Sequence, residues 1–567
     1  MDVTGRRRRW LVMCVGRLER LLAGLTMQTG LVAIFFTSIF GLSILGRREV
    51  YVTGDPILYG VYRMLVLETA RPLRWGWPRP GKPADVYRME LRTEPPVAGE
   101  LVLGRIPRFP AVYYWNPVQD ISGEELQQVL AGKIRNWAEL GGEDRAIVCF
   151  SGPDPDLGKR LAREPGGLAV LYWPQLVPEV RVLQVGCNDW LSFQDRGGDG
   201  FPGCGWVVLS PVRPLAWWEE LGWQLRNIKL IRRIKRGFSW NRWLYGQERL
   251  TLTAVGDIML DRGVARTVKE QGGDYRYVFA RTAPILARAD RTLGNLECPL
   301  SLRGCQINMF RGHPAAAAAL RAAGFDLVSL ANNHILDYGP EALADTLDIV
   351  KSHGMTPLGA GRNRAEARRI HFETVNRIRA AFLAYTEVRP GFTYTRTGVE
   401  WRAGPDRAGV NPVDTEEMRR ELAAARRRAD VVVVTVHWGD EYQGLPNPFQ
   451  RQLARELLAC GADLVVGHHP HVIQGVVFGG KGAAAFSLGN FVFDQKVWDR
   501  REGLILEACF DRAGLRQVRF LPVRILGEQP RLLQGEEARR VWRRLAYLSK
   551  KLQETAAARK REMPNPW

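Results

Sequence analysis

Histidine is scarce in this chain of 567 residues: there are eight, and none occurs before His313. The segment from Val50 to Pro214 therefore lacks imidazole altogether. It also lacks a carboxylate cluster of catalytic spacing, so catalysis is not expected there. Cysteine is equally sparse. The eight cysteines are mostly far apart and no two stand as C-x-x-C, which argues against a zinc ribbon or a thioredoxin-type site. A disulfide between Cys298 and Cys305 stays open. Negative charge is in short supply as well, 60 Asp and Glu against 80 Lys and Arg, a net charge of +20. That balance points to an acidic partner, whether nucleic acid, an anionic membrane surface or a polyanionic product, and charge alone does not choose among them.

Charge of either sign is missing from Leu21 to Leu45, "LLAGLTMQTGLVAIFFTSIFGLSIL", a run of 25 residues. About 20 apolar residues suffice for a helix to cross a bilayer, so a single membrane span is expected here. Six arginines precede the run (Arg6 to Arg9, Arg17, Arg20) and two follow it (Arg47, Arg48). The positive-inside bias then predicts a cytoplasmic N-terminus over 1–20 and an extracytoplasmic body. The remainder is globular in composition, 46% apolar and 25% charged, and long enough for two or three domains.

After the expected span, residues 50–214 form a first domain and 215–249 a joint. The joint, "LAWWEELGWQLRNIKLIRRIKRGFSWNRWLYG", mixes five tryptophans with lysine and arginine. That mixture suits either a lipid–water interface or an interdomain helix. Within the first domain, "FPAVYYWNPVQDISGEELQQVLAGKIRNWAELGG" (109–142) resembles the phosphate-type periplasmic solute-binding proteins, which implies a smaller α/β domain. The anion-binding turn of that family is replaced by "SGPDPDLGKRLA", so phosphate binding is not expected. A basic helical tail is expected over 527–567.

All eight histidines lie in the third region, 250–526, where helix and strand signals alternate. "HPAAAAALRAAG", "GPEALADTLDIVKSHG" and "NPFQRQLARELLACG" each start with proline in the first turn and stop at glycine. Between them stand short apolar runs of strand length: "LTLTAV", "RTL", "FDLVSL", "RAAFLAY", "VVVVTV", "DLVV" and "AAFSL". This alternation predicts an α/β domain with buried strands. Six of these runs end in polar residues: Asp257; Asn295 and Glu297; Asn332, Asn333 and His334; His437; His468, His469 and His471; and Asn490. In open α/β sheets such ends share one edge, where ligands bind. Imidazole, carboxylate and amide without organised thiolate favour Mn, Fe or Zn, one ion or two, in a site of hydrolase type.

The motifs "LTAVGDIMLDRGV", "LGNLECPLS", "GFDLVSLANNHILDYG", "VVVTVHWGDEY", "GADLVVGHHPHVIQGV" and "FSLGNFVFDQ" resemble, in order and spacing, the CapA family of capsule and poly-γ-glutamate biosynthesis proteins. The resemblance implies a metallophosphoesterase-like β-sandwich flanked by helices, anchored to the membrane. It implies Asp257 as first metal carboxylate, Glu297 as bridging carboxylate, Asn333 as amide ligand and His334 as general acid. His437, His469 and His471 complete the ligands, with His468 an alternative to His469. Asn295, Asn332, His468 and Asn490 are expected to face substrate. Poly-γ-glutamate or another anionic polymer, the membrane and capsule synthesis and export proteins are the implied partners; nucleic acid is not expected. Either a metal-dependent hydrolase or a non-catalytic polymer-holding subunit fits the family. True phosphoesterases carry D-x-H at the first motif, whereas Met259 stands at that third position here.

Overall fold

The computed structural model describes residues 49–54, 73–75, 84–92, 101–106, 108–151, 154, 156–172, 175–185, 205–211, 249–388 and 400–562. The chain divides into two compact units, Met1–Gly104 with Trp206–Gly237, and Arg105–Gly205 with Phe238–Trp567. Segment 50–214 thus contributes to both. Of the first unit, a five-stranded sheet is described, with Glu49–Gly54 and Ala84–Arg92 adjacent and parallel.

The expected single-pass anchor, and with it the extracytoplasmic placement, requires correction. Among the described residues no helix is long and apolar enough to cross a membrane. The longest, Gly535–Glu562, has 28 residues but carries arginine and lysine along its length, side chains that hydrocarbon accepts only at high cost. The run that carried the expectation, 21–45, lies outside the described residues, as do the basic segment 1–20 and the tryptophan-rich joint up to residue 248. Membrane anchoring is therefore withdrawn.

The second unit is built on two stacked sheets. In the first, strands β1 (Leu250–Ile258), β2 (Arg291–Leu296) and β3 (Leu327–Ser329) run parallel. In the second, β4 (Ile378–Thr386), β5 (Val431–His437) and β6 (Leu464–His468) do the same. A short strand, β7 (Asn490–Val492), joins the far end of β1, and antiparallel β8 (Glu502–Asp511) and β9 (Gly514–Leu526) extend the first sheet. Facing residues of the two sheets share one apolar core: Leu252, Ala254 and Leu293 meet Phe382, Val433 and Val466. Helices then cover both outer faces. Leu343 and Leu347 of α1 (Gly339–Ser352) pack with Val255 and Ile258 on one side. Leu453 and Leu457 of α2 (Pro448–Ala459) pack with Val434 and Val465 on the other. Buried on both faces, β1, β5 and β6 read as near-continuous apolar runs, as parallel strands do. The architecture is α/β with mixed sheets, a helix-flanked sandwich of metallophosphoesterase type.

The strand ends approach one another so closely that side chains are excluded at two places. A Cβ at Gly256 would lie 1.9 Å from the Gly489 carbonyl oxygen, and one at Gly467 would lie 2.0 Å from that of Phe486. Glycine there lets β1 and β6 carry their terminal residues into a common centre.

The solute-binding-like stretch folds as its sequence suggests. Ser122 and Glu125 form a reciprocal capping box on the helix Gly123–Leu130. Asn136 caps the turn Trp137–Leu140, and Trp137 is buried with its indole N–H donating to Gly166. The stretch is joined to the sandwich by Tyr114, whose hydroxyl donates to the Val518 carbonyl at 3.0 Å, and by Gln517, which donates to the Val180 carbonyl at 3.1 Å. α3 (Gly535–Glu562) buries Trp542 beneath Arg181, whose guanidinium donates to the carbonyls of Asn116 and Val118. Cys298 and Cys305 are both free thiols, so no disulfide joins them.

Candidate metal centre

Five strand ends meet in one buried cluster. Asp257, at the end of β1, is fully buried, and its Oδ1 accepts from Asn295 Nδ2 at 2.8 Å. His468 Nδ1 lies 3.2 Å from the same oxygen, and His471 Nδ1 lies 3.3 Å from Oδ2. Glu297, just past β2, is also fully buried, with His471 Nε2 at 3.6 Å and His437 Nε2 at 3.7 Å from Oε1. His437 Nε2 in turn meets Asn333 Oδ1 at 2.8 Å.

These residues make two sets of convergent donors, Asp257 with Glu297 and His437, and Glu297 with His469 and His471. Glu297 belongs to both. Neither of its carboxylate oxygens accepts a hydrogen bond, and His469 Nδ1 is likewise buried without a partner. A buried carboxylate without hydrogen bonds is costly, and a cation at the same place removes that cost. The donor set therefore fits divalent metal ions.

Electrostatics separate the two carboxylates. Burial raises the Asp257 carboxyl, but the hydrogen bonds and charge of His468 and His471 outweigh it and hold the group well below the usual range. Burial pushes Glu297 well above it, only partly offset by His471. Burial lowers both His437 and His469, the latter to about 3. His471 goes the other way: burial lowers it, yet Glu297 and Asp257 prevail and raise it to about 9.

The sequence left open whether His468 or His469 turns inward. His469 has φ 97° and His471 φ 57°, left-handed backbone uncommon outside glycine. This contour presents both rings to Glu297 and leaves His468 packed against Asp257. Such strain persists where surrounding structure fixes it, commonly at functional sites. Met259, at the position of the missing histidine, turns its sulfur to the Asp261 N–H at 3.1 Å.

The other sequence-predicted residues have defined places. Asn332 Nδ2 donates to Asn295 Oδ1 at 3.1 Å and to the Leu296 carbonyl at 2.8 Å, locking the amide that holds Asp257. Asn490 Oδ1 meets His471 Nδ1 at 2.9 Å, while its Nδ2 donates to the Arg500 carbonyl at 2.8 Å. These three amides are engaged in orienting the metal-site residues. His334 lies at the edge, its Nδ1 2.8 Å from Asp337 Oδ2. Asp337, absent from the sequence expectations, is fully buried and also accepts from the backbone N–H groups of Met309 and Phe310. Its only sequence signal is an aspartate three residues after His334. Tyr442, also unforeseen, stands with its ring centroid 6.1 Å from that of His471. His313, His353 and His371 lie outside both donor sets.

A two-sheet sandwich whose strand ends bring two histidine–carboxylate sets together around a shared glutamate is a metallophosphoesterase-like arrangement whose donors suit divalent metal ions. The sequence comparisons then specify the family. Residues 251–495 match the bacterial capsule synthesis protein PGA_cap. The chain is similar to the capsule biosynthesis protein CapA of Bacillus anthracis, 33% identical over 307 residues, 53% of this chain and 73% of that protein. It is likewise similar to the PGA biosynthesis protein CapA of Bacillus subtilis (strain 168), 32% identical over 288 residues, 50% of this chain and 73% of that protein. The chain belongs to the CapA family of bacterial capsule synthesis proteins. A stretch of 37 residues, 6% of this chain, is 51% identical to the phosphate-binding protein PstS of the same Bacillus subtilis strain and covers 12% of it.

Proposed function

We propose that this protein is a metal-dependent hydrolase or transferase that acts on an anionic capsule polymer, with poly-γ-glutamate the substrate class suggested by its relatives. The observation that carries the reading is Glu297: fully buried, without a hydrogen bond, and common to both donor sets. Asp257, Glu297, His437, His469 and His471 would hold the ions, with Asn333 beside His437. Mn, Fe or Zn suits such nitrogen and oxygen donors better than the hard, all-oxygen ions. A divalent pair supplies Lewis acidity and a nucleophile at neutral pH. The chain's own residues do the rest. Asn295 and Asn332 fix the Asp257 carboxylate, Asn490 fixes the His471 ring, and His334 holds a proton at the edge of the site for the leaving group. The bond from His334 Nδ1 to Asp337 sets the ring so that Nε2 is the atom offered to the reaction.

The test is turnover of poly-γ-glutamate and of a model phosphodiester by the metal-loaded protein. His334→Ala is expected to keep its metal yet lose turnover by about 10²–10⁴, the usual worth of a positioned general acid. Asp337→Asn should fall between the two, with an altered pH profile. Full turnover in metal-loaded His334→Ala would remove the histidine from the mechanism, and no turnover by the wild type on any such substrate would favour a polymer-holding role.

A further inference from the structure

The metal centre continues outward into a band of cations and aromatic rings that the metal chemistry does not use. The turn Trp498–Arg501 follows β7 and is tied to the site through the Arg500 carbonyl, which accepts from the Asn490 amide that also holds His471. Arg500 lays its guanidinium 3.4 Å from the ring centroid of Tyr442, and its Nε is buried without a hydrogen-bond partner. Tyr442 is held at φ 63°, its N–H donating to the Pro470 carbonyl between the two inward histidines at 2.8 Å. On the other side of the turn, Trp498 is 49% exposed and lies under two more guanidiniums, Arg524 at 4.2 Å and Arg540 at 5.3 Å.

Those arginines converge on a single buried carboxylate. Glu502 meets Arg524 at 3.2 Å, Arg544 at 2.9 Å and Arg540 as well. Three positive charges on one negative charge leave a surplus, of which the neighbouring Glu537 answers only Arg524. The band then follows α3. Arg540, Arg544, Tyr547 and Lys551 recur at helical spacing on one face, opposite the buried Trp542, Leu545 and Ser549. Tyr547 is 55% exposed, with Lys551 Nζ 4.7 Å from its ring centroid.

An amphipathic surface helix needs polar residues on its outer face, but packing does not require a half-exposed tryptophan in the neighbouring turn, placed under Arg524 and Arg540. A guanidinium stacked on a ring is held flat, and its fork of N–H donors suits a carboxylate, which it can take with two parallel hydrogen bonds. We infer that the ledge from Tyr442 and Arg500 through Trp498 to Arg540 and Arg544 binds an extended polycarboxylate chain. Its carboxylates lie on the guanidiniums, its methylene groups lie on the rings, and an interior bond is led toward the metal centre. The choice of a polycarboxylate over other polyanions rests on the function proposed above, because the ledge is continuous with that site.

Binding tests the ledge separately from catalysis. Fluorescently labelled poly-γ-glutamate of defined length is titrated with the full protein, metal-loaded and after chelator treatment. A DNA oligomer of equal charge number and anionic phospholipid vesicles serve as competitors. The wild type is expected to bind the polymer in both metal states, with affinity that falls as salt rises. Trp498→Ala and Arg500→Gln should each weaken binding about tenfold, and Arg540→Gln similarly with partial rescue by Arg540→Lys, since each removes one stacked or charge-assisted contact. Trp498→Ala removes a half-exposed ring and its two guanidinium contacts but leaves Glu502 with its three arginines, so it remains a fair test if Arg540→Gln unfolds by releasing Glu502. Unchanged affinity in Trp498→Ala and Arg500→Gln overturns the inference, as does displacement of the polymer by DNA or vesicles at lower concentration than by unlabelled polymer. Intact binding without turnover would remove the proposed chemistry and leave the ledge standing.

Discussion

At Glu297, burial works directly against the charged form of the side chain. Its carboxylate is buried, accepts no hydrogen bond and is raised well above the usual range by burial that the charge of His471 only partly offsets, so the protein without metal is destabilised at this position. Glu297→Gln should therefore lose metal and yet melt higher than metal-free wild type. The gain comes only from removing the ionisable group, since the glutamine amide is itself a buried polar group, and calorimetric melting of both chelated proteins measures its sign. A lower melting temperature for the variant would show that the carboxylate is stabilised in some other way. His471 gives the pH dependence. Its folded value of about 9 stands above its ordinary 6.5, so its imidazolium stabilises the metal-free fold fully below about pH 6.5. That contribution is lost as pH rises through about 9. Metal-free protein should melt progressively lower between these limits. Metal-loaded protein should not, because a ligating imidazole has already given up that proton. Parallel melting curves for the two forms across this window would contradict the assignment of His471.

At the scale of elements, the site is made by where strands stop. β1, β2, β3 and β5 end at Ile258, Leu296, Ser329 and His437, and in the sequence each is an apolar run followed by polar residues, which is why Asp257, Glu297, Asn333 and His437 were legible as candidates. His471 was legible too, but the choice between His468 and His469 was not, because positive φ at His469 and His471 breaks the alternation by which side chains on a strand are read. Asp337, Tyr442 and Arg500 were also invisible, since their parts come from contacts across the fold that no local pattern records. Asn490 was legible as a site residue, but its contacts are to His471 and to the turn Trp498–Arg501. Asn490→Ala frees both the ring and the turn, and supporting residues of this kind are typically worth about 10–100-fold in metal affinity. Competition with a chelator of known affinity measures the loss; unchanged affinity would confine Asn490 to another task.

On the scale of the whole molecule, alternating apolar runs and capped helices pointed to an α/β domain with buried strands, the helix-flanked sandwich was implied only by the resemblance to the CapA family, and the structure places those runs in two facing sheets with one core between them. What the sequence could not convey is that Arg105–Gly205 belongs to the same compact unit as the metal domain, joined through Tyr114, Gln517 and Arg181. Each of these is an isolated polar or aromatic residue whose partner lies hundreds of positions away or in the last helix. The charge asymmetry, +20 overall, finds a local expression in the arginines around Glu502. The proposed function rests on Glu297 being common to two donor sets, and metal stoichiometry by mass spectrometry of the purified protein and three variants tests it. Two ions per chain are expected in the wild type. His437→Ala and His469→Ala, which each break one donor set, should retain roughly one, and Glu297→Gln, which breaks both, should retain close to none. Two ions retained in Glu297→Gln, or a wild type that saturates at one, would contradict a shared carboxylate.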